Sequence, residues 1–318
     1  MDSRHQRTGA SPAIRQVGLL VVLLLAATGC SIRSLAVNAL ADSLVASGDV
    51  FASDDDPELV RDAIPFALKT IEALLQEKPD HSDLLLAACR GFTQYSYAFV
   101  ETEAERLEEV DFDASEHQYQ RALSLYLRGF DYCLHAMELR SAGVGERLMQ
   151  SPEESMRSFN ASDVPLLFWT GASWGGAIAI GQDRPDLVAD VPAVRALMDR
   201  ALALDETYDR GAIHGVLIAL EALPEAMGGS SKRARHHFQR AVELSQGLSV
   251  GPYVTLASTV VVAEQDWQEF QDLLESALAI DPDAAPSLRL ANIIDQQRAR
   301  WLLDRIDHYF LDYDPDPG

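Results

Sequence analysis

The chain has few cysteines and few cations. Three cysteines occur in 318 residues, none in a CxxC pair and none near a histidine at ligand spacing, so a structural zinc site is excluded. Lysine and arginine number 26 against 49 aspartates and glutamates, a formal charge of −23. A surface this acidic repels nucleic-acid phosphates and anionic headgroups, which excludes nucleic acid as a partner. HExxH, a glycine-rich phosphate loop and paired catalytic carboxylates are also missing, and no cofactor is called for. No stretch alternates apolar and polar residues between hairpin turns, so β-architecture has no support. The best strand candidate, Thr259–Val262, continues a helical spacing through Tyr253, Leu256, Ala257 and Val260, and packing overrides a β-branched run that costs only tenths of a kcal/mol per residue.

One apolar run is present, Val17–Ala27, behind Arg4, Arg7 and Arg15 and ahead of Thr28, Gly29 and Cys30. It is too short to span ~30 Å of hydrocarbon as a helix. Basic start, short apolar stretch and small residues have the layout of an export signal, and the cysteine in register resembles a bacterial lipobox. Ala27 stands where leucine is commoner. The expectation is a signal peptide over 1–29, lipidation at Cys30, and a domain over 30–318 tied by acyl chains to the periplasmic side of a membrane. Ser31 is not the aspartate linked to inner-membrane retention, which favours the outer membrane. Removing 1–29 takes the formal charge to −25. Cys89 and Cys133 then remain, each in an apolar helical pattern. An exported protein permits a disulfide, but the spacing does not argue for one, and two free buried thiols are the favoured reading.

The mature chain reads as helices punctuated by Pro, Gly and Asp. Residues 32–45 carry apolar positions at helical spacing. Asp56 is placed as an N-cap with Pro57 at the first helical position, opening a helix that runs to about Glu77 and stops at Pro79. A spacing of four then three recurs at Ala234, Phe238, Ala241 and at Phe270, Leu274, Ala277 before Pro282. Ala67, Ile71, Leu74 and Pro79 repeat it, and Met198–Ala201–Asp205 is a degenerate copy. This is the small-large-small signature of tetratricopeptide hairpins: small residues let paired helices approach and the large one fills the gap. The expected fold is all-α, a TPR-like array with one continuous core and a concave face. Two acidic or Gly/Ser/Pro-containing stretches, 101–115 and 141–163, are expected as inserted loops.

Four blocks in order are Asp54-Asp55-Asp56-Pro57-Glu58-Leu59-Val60 with Ala63–Lys69, Leu125–Gly129 with Asp131-Tyr132, Trp169–Gly175, and Arg289–Asn292 with Arg298-Ala299 and Trp301-Leu302-Leu303. Behind a lipobox, they resemble the T-component (TatT) lipoproteins associated with TRAP transporters, over nearly the whole mature chain. The resemblance implies a periplasmic, TPR-like, non-enzymatic protein that forms a trimer, with pores or clefts in the helical array. It implies a solute-binding P-component as partner and a role in uptake of a small organic, even hydrophobic, ligand. A general periplasmic TPR scaffold for envelope assembly is the alternative reading.

Some residues invite chemistry. Gly171-Ala172-Ser173-Trp174-Gly175 matches the G-x-S-x-G nucleophile elbow of a serine hydrolase, a motif that needs a strand, a sharp turn and a helix around it; the strand–helix alternation is missing. In Arg235-His236-His237 the adjacent histidines point about 100° apart on a helix and cannot share a metal, so a solvated face is expected. His214, between Ile213 and Gly215, reads as a core histidine or a cleft residue. Trp169, Trp174 and His214 are the ligand-cleft candidates, with at least one tryptophan expected in the core.

Overall fold

Asp56 opens the first long helix as the sequence predicts. In the computed structural model, which describes residues 48–313, its Oδ1 accepts the backbone N–H groups of Glu58 and Leu59, both at 3.0 Å. That satisfies two of the donors a helix leaves free at its start. Helix α1 spans Pro57–Glu77. It is followed by α2 (Ser82–Tyr95), a π-helix at Ser96–Glu101, α3 (Thr102–Leu107) and the 29-residue α4 (Phe112–Arg140). Then come α5 (Val164–Ile180), α6 (Val191–Leu204), α7 (Ala212–Glu221), α8 (Ser231–Leu244), α9 (Gly251–Leu256), α10 (Trp267–Leu278) and α11 (Arg289–Leu303). Strands are absent among the described residues, so the fold is all-α. Thr259 and its valines fall in a second π-helix, Ala257–Val261, and the turn after it. None of the described helices is long and apolar enough to cross a membrane. The export signal, Cys30 and the helical spacing of 32–45 lie outside the described residues.

Most helices pack on their successors, among them α1 on α2, α4 on α5, α5 on α6, α7 on α8, α9 on α10 and α10 on α11, and α2 also packs along α4. Most of the small-large-small positions of the later copies point inward, while Ala67 and Leu74 of the first copy are half-buried beside the buried Leu68, Ile71 and Leu75. Ala201, Ala234, Ala241, Phe270, Leu274 and Ala277 are all buried, and Phe238 meets the edge of Tyr253 at 5.1 Å. Two apolar clusters result. One is built from Leu123 to Leu220 around Trp174, Leu197 and Met198; the other runs from Ile218 to Phe310 around Phe270 and Val254. Glycine sets the closest approach. A Cβ on Gly176 would lie 2.5 Å from the Tyr126 ring, so α5 can press on α4 only with glycine there.

Two expectations are corrected. Cys89 on α2 and Cys133 on α4 are bonded to each other, with Cα atoms 5.4 Å apart, where two free thiols were expected. One helical turn before Cys133, a Cβ on Gly129 would come 3.1 Å from the Cys89 carbonyl oxygen, so the two backbones approach to disulfide range. The acidic stretch 101–115 is largely helix, not loop; only the short turn between α3 and α4 interrupts it. Two of its acids, Glu101 and Glu105, turn inward. By contrast, 141–163 is the irregular insert expected, made of short helical pieces such as Val144–Gln150 and Pro152–Ser155.

Candidate functional site

Two segments far apart in the chain, 97–126 and 295–298, meet through charged and phenolic side chains. Tyr97 and Glu101 come from the π-helix, Glu105 from α3, Tyr126 from α4, and Asp295 and Arg298 from α11. A π turn is wider than an α turn and is frequent at functional sites. Tyr97 Oη donates to Asp295 Oδ1 at 3.4 Å and accepts from Arg298 Nη1 at 3.3 Å. Arg298 Nη2 reaches Glu105 Oε1 at 2.5 Å, and Tyr126 Oη donates to Glu101 Oε2 at 2.5 Å. The seam continues outward, where Glu109 meets Arg305 at 3.5 Å and also His308. At the other end of α11, Arg289 donates to the Ser53 carbonyl at 3.0 Å.

Three carboxylates share one guanidinium here. Burial pushes the Glu101 carboxyl up to about 7, with Glu105 adding to it and Tyr126 and Arg298 opposing. Burial also raises Asp295 to about 6, against the pull of Arg298 and Tyr97, and raises Glu105. The Tyr97 phenol is raised first by the Asp295 charge and then by burial. Burial alone would lower Arg298, but the acids around it more than offset this. Two buried atoms have no hydrogen-bond partner, Glu105 Oε2 and Arg298 Nε. The side chains that carry them still keep 17% and 16% exposure. The cluster is therefore deep and polar, with an acceptor and a donor left without a hydrogen-bond partner.

Sequence reasoning did not select these residues as a site. Tyr126 and Arg298 stand in the recognised blocks, but they were read as family markers only. A signal existed on α11: Asn292, Asp295, Gln296, Ala299 and Leu302 form its buried stripe, and a charge on an apolar stripe is seldom there for packing. Asn292 and Gln296 are structural. Asn292 Oδ1 accepts from Val250 N at 3.0 Å and its amide donates to Leu248 O at 2.8 Å. Gln296 donates to Ile280 O at 2.7 Å, meeting a carbonyl just past the end of α10.

The cleft candidates have separate surroundings. Trp174 is buried, 4.4 Å from the Phe130 ring. Trp169 is half-buried, edge-on to Phe168 at 4.9 Å and 5.8 Å from the Arg90 guanidinium. His214, 2% exposed, has Nδ1 2.8 Å from Nδ1 of His237 and Nε2 3.3 Å from Glu206. Two facing ring nitrogens share one hydrogen, so one donates and the other accepts. Burial lowers both rings, His237 to about 4 with the His214 charge contributing. The solvated-face reading of Arg235-His236-His237 is thus corrected. His236 is exposed, but His237 turns to His214 and Arg235 is gripped by Glu264 and Glu269. No cluster of three or more metal-capable side chains occurs among the described residues.

Ser173 is not a nucleophile. It lies inside α5, fully buried, and its hydroxyl donates to the Thr170 carbonyl at 3.0 Å. The strand, the sharp turn and the exposed Oγ that the elbow requires are replaced by continuous helix.

Against known proteins, the chain is 31% identical to an uncharacterized protein of Treponema pallidum (strain Nichols) over 320 residues, covering 95% of this chain and 99% of that one. The sequence profile of the TRAP transporter T-component matches residues 53–310, the segment that holds every helix and every member of the charged seam described above. That family is a non-catalytic part of a transport system, in keeping with a helical array whose one motif for nucleophilic chemistry is closed inside a helix. The chain belongs to the TRAP transporter T-component family.

Proposed function

We propose that this protein is a lipid-anchored T-component on the periplasmic side of a bacterial membrane, with the outer membrane favoured. It associates with the solute-binding P-component of a TRAP transporter and assists uptake of a small organic ligand. In this reading residues 1–29 are a signal peptide, Cys30 carries the acyl chains, and the helices form a TPR-like array that assembles as a trimer. The observation that carries the ligand-handling part is the seam. A stability role does not call for three buried carboxylates on one arginine, since apolar side chains of similar volume serve as well or better. A buried acceptor and a buried donor without hydrogen-bond partners, Glu105 Oε2 and Arg298 Nε, suit a polar group that enters between them. Trp169, Trp174 and His214 remain cleft candidates on this reading.

The test is association with the P-component encoded beside the gene, by sedimentation or calorimetry. Reversible binding near micromolar strength, on the order of −8 kcal/mol, is expected. No association at ~100 μM of each folded protein, far above such a dissociation constant, overturns it. For the anchor, Cys30→Ser should abolish palmitate labelling and membrane fractionation; label retained on that variant would rule the lipobox out.

A further inference from the structure

The turn between α3 and α4 carries an apolar pair left uncovered by the rest of the described chain: Val110 is 76% exposed and Phe112 71%. Single exposed apolar residues are ordinary. Here the backbone around the pair is braced from three sides. Tyr119 Oη donates to Glu108 at 2.5 Å. Glu109 is held by Arg305 and His308 from beyond α11. Asp111 caps α4 by accepting from Ala114 N at 3.1 Å. A turn fixed this way loses little conformational entropy when its tips are gripped, and that is how an anchor gains affinity. Buried aromatic anchors supply most of the energy of a protein interface.

The ring around the pair names the partner's chemistry. Glu108, Glu109, Asp111, Asp113 and Glu116 are all exposed, and no Lys or Arg lies between Leu107 and Gln120. Anionic lipid, nucleic acid or a second copy of this −23 chain would meet like charge. A protein recess with an apolar floor and a cationic rim would meet opposite charge. We infer that Val110 and Phe112 dock into such a recess, rimmed by lysine and arginine, on the P-component. This rests on the reading under Proposed function and adds the surface to it.

The experiment is calorimetry of the full chain, purified in mild detergent, against the P-component. Val110→Ser/Phe112→Ser should weaken binding about tenfold or more, with the helical spectrum unchanged. Asp113→Lys/Glu116→Lys, which leaves the apolar pair in place, should also weaken it, and raising salt should weaken the wild type severalfold. Phe66→Ser, at an 80% exposed position on α1, should have no effect. If the wild type binds and the Val110/Phe112 variant binds within twofold of it, this docking surface is wrong while the partner stands. Equal loss in Phe66→Ser, or a changed oligomeric state of the Val110/Phe112 variant alone, also overturns it. Failure of the wild type to bind at all removes the partner itself.

Discussion

Glu221 and Glu105 are both glutamates drawn inward, and their surroundings treat them in opposite ways. Glu221, 2% exposed, is gripped by Arg195 from α6 and Arg233 from α8, each at 2.6 Å. Burial alone would raise its carboxyl, yet the two guanidiniums hold it below the usual carboxylate range. Glu105 shares Arg298 with Glu101 and Asp295, and all three stay raised by burial. Two cations on one acid make a structural clasp between helices. One cation among three acids makes a site that holds protons near neutral pH, the condition in which perturbed carboxyls point to function.

Removing the cation separates the two regions most sharply. Arg298→Met should cost about 3–5 kcal/mol in urea unfolding at pH 8, because buried acids lose their one counter-charge. The loss should shrink at pH 5, where Glu101, raised to about 7, and Asp295, raised to about 6, take up protons. Arg195→Met leaves Arg233 in place and should cost about 1–3 kcal/mol. Equal losses would erase the distinction.

The clamp beneath the seam comes next. The Cys89–Cys133 bond closes a separation of 44 residues and ties α2, which leads into the π turn, to α4, which carries Tyr126. Cys89→Ala/Cys133→Ala should lower stability by about 2–4 kcal/mol. An unchanged urea midpoint, or two free thiols titrating in the unfolded oxidised protein, would break that reading.

A pH series sharpens the contrast further. A carboxyl whose folded pKa lies above its unfolded value near 4.5 binds more protons when folded. Its stabilisation is therefore full below about 4.5 and disappears as pH rises through the folded pKa. With Glu101 at about 7 and Asp295 at about 6, the wild type should lose on the order of 4 kcal/mol between pH 5 and pH 8. Glu221 has the opposite sign. Its contribution is present above its unfolded pKa and lost as pH falls through a lowered folded pKa, below this window. Glu101→Gln should flatten much of the slope; a slope unchanged in that variant would assign it to the general self-repulsion of an acidic chain.

The smallest effect belongs to a neutral buried group. Ser173→Ala should cost about 1 kcal/mol or less, and fluorophosphonate probes should leave Ser173 unlabelled. Stoichiometric labelling there would overturn the non-enzymatic assignment.

How much of this was legible varies with the kind of physics. The N-cap at Asp56, the stop before Pro79 and the inward small residues at Ala234, Ala241 and Ala277 follow from local rules of capping and periodicity, and could be read directly. The Cys89–Cys133 pairing depends on how closely α2 and α4 approach, which Gly129 decides and one-dimensional spacing does not express. The seam joins residues nearly two hundred positions apart, Glu105 to Arg298, and its acids lie in a segment whose composition looks solvated. His237 is the same failure at short range. The sequence shows that it differs in direction from His236 but not that His214 waits on the inner side.

The π turn at Ser96–Glu101 has a consequence in counting. A wide turn amounts to one residue more than an α-helix would use, and each residue advances a helix by about 100° and 1.5 Å. Deleting one residue between 96 and 101 would let α2 run on as regular helix into α3. Everything up to Leu107 would then swing by roughly a quarter turn, carrying Glu105 off Arg298 and out towards solvent, while the composition of the chain barely changed. A single-codon deletion there should leave a helical protein in which α3 no longer meets α11.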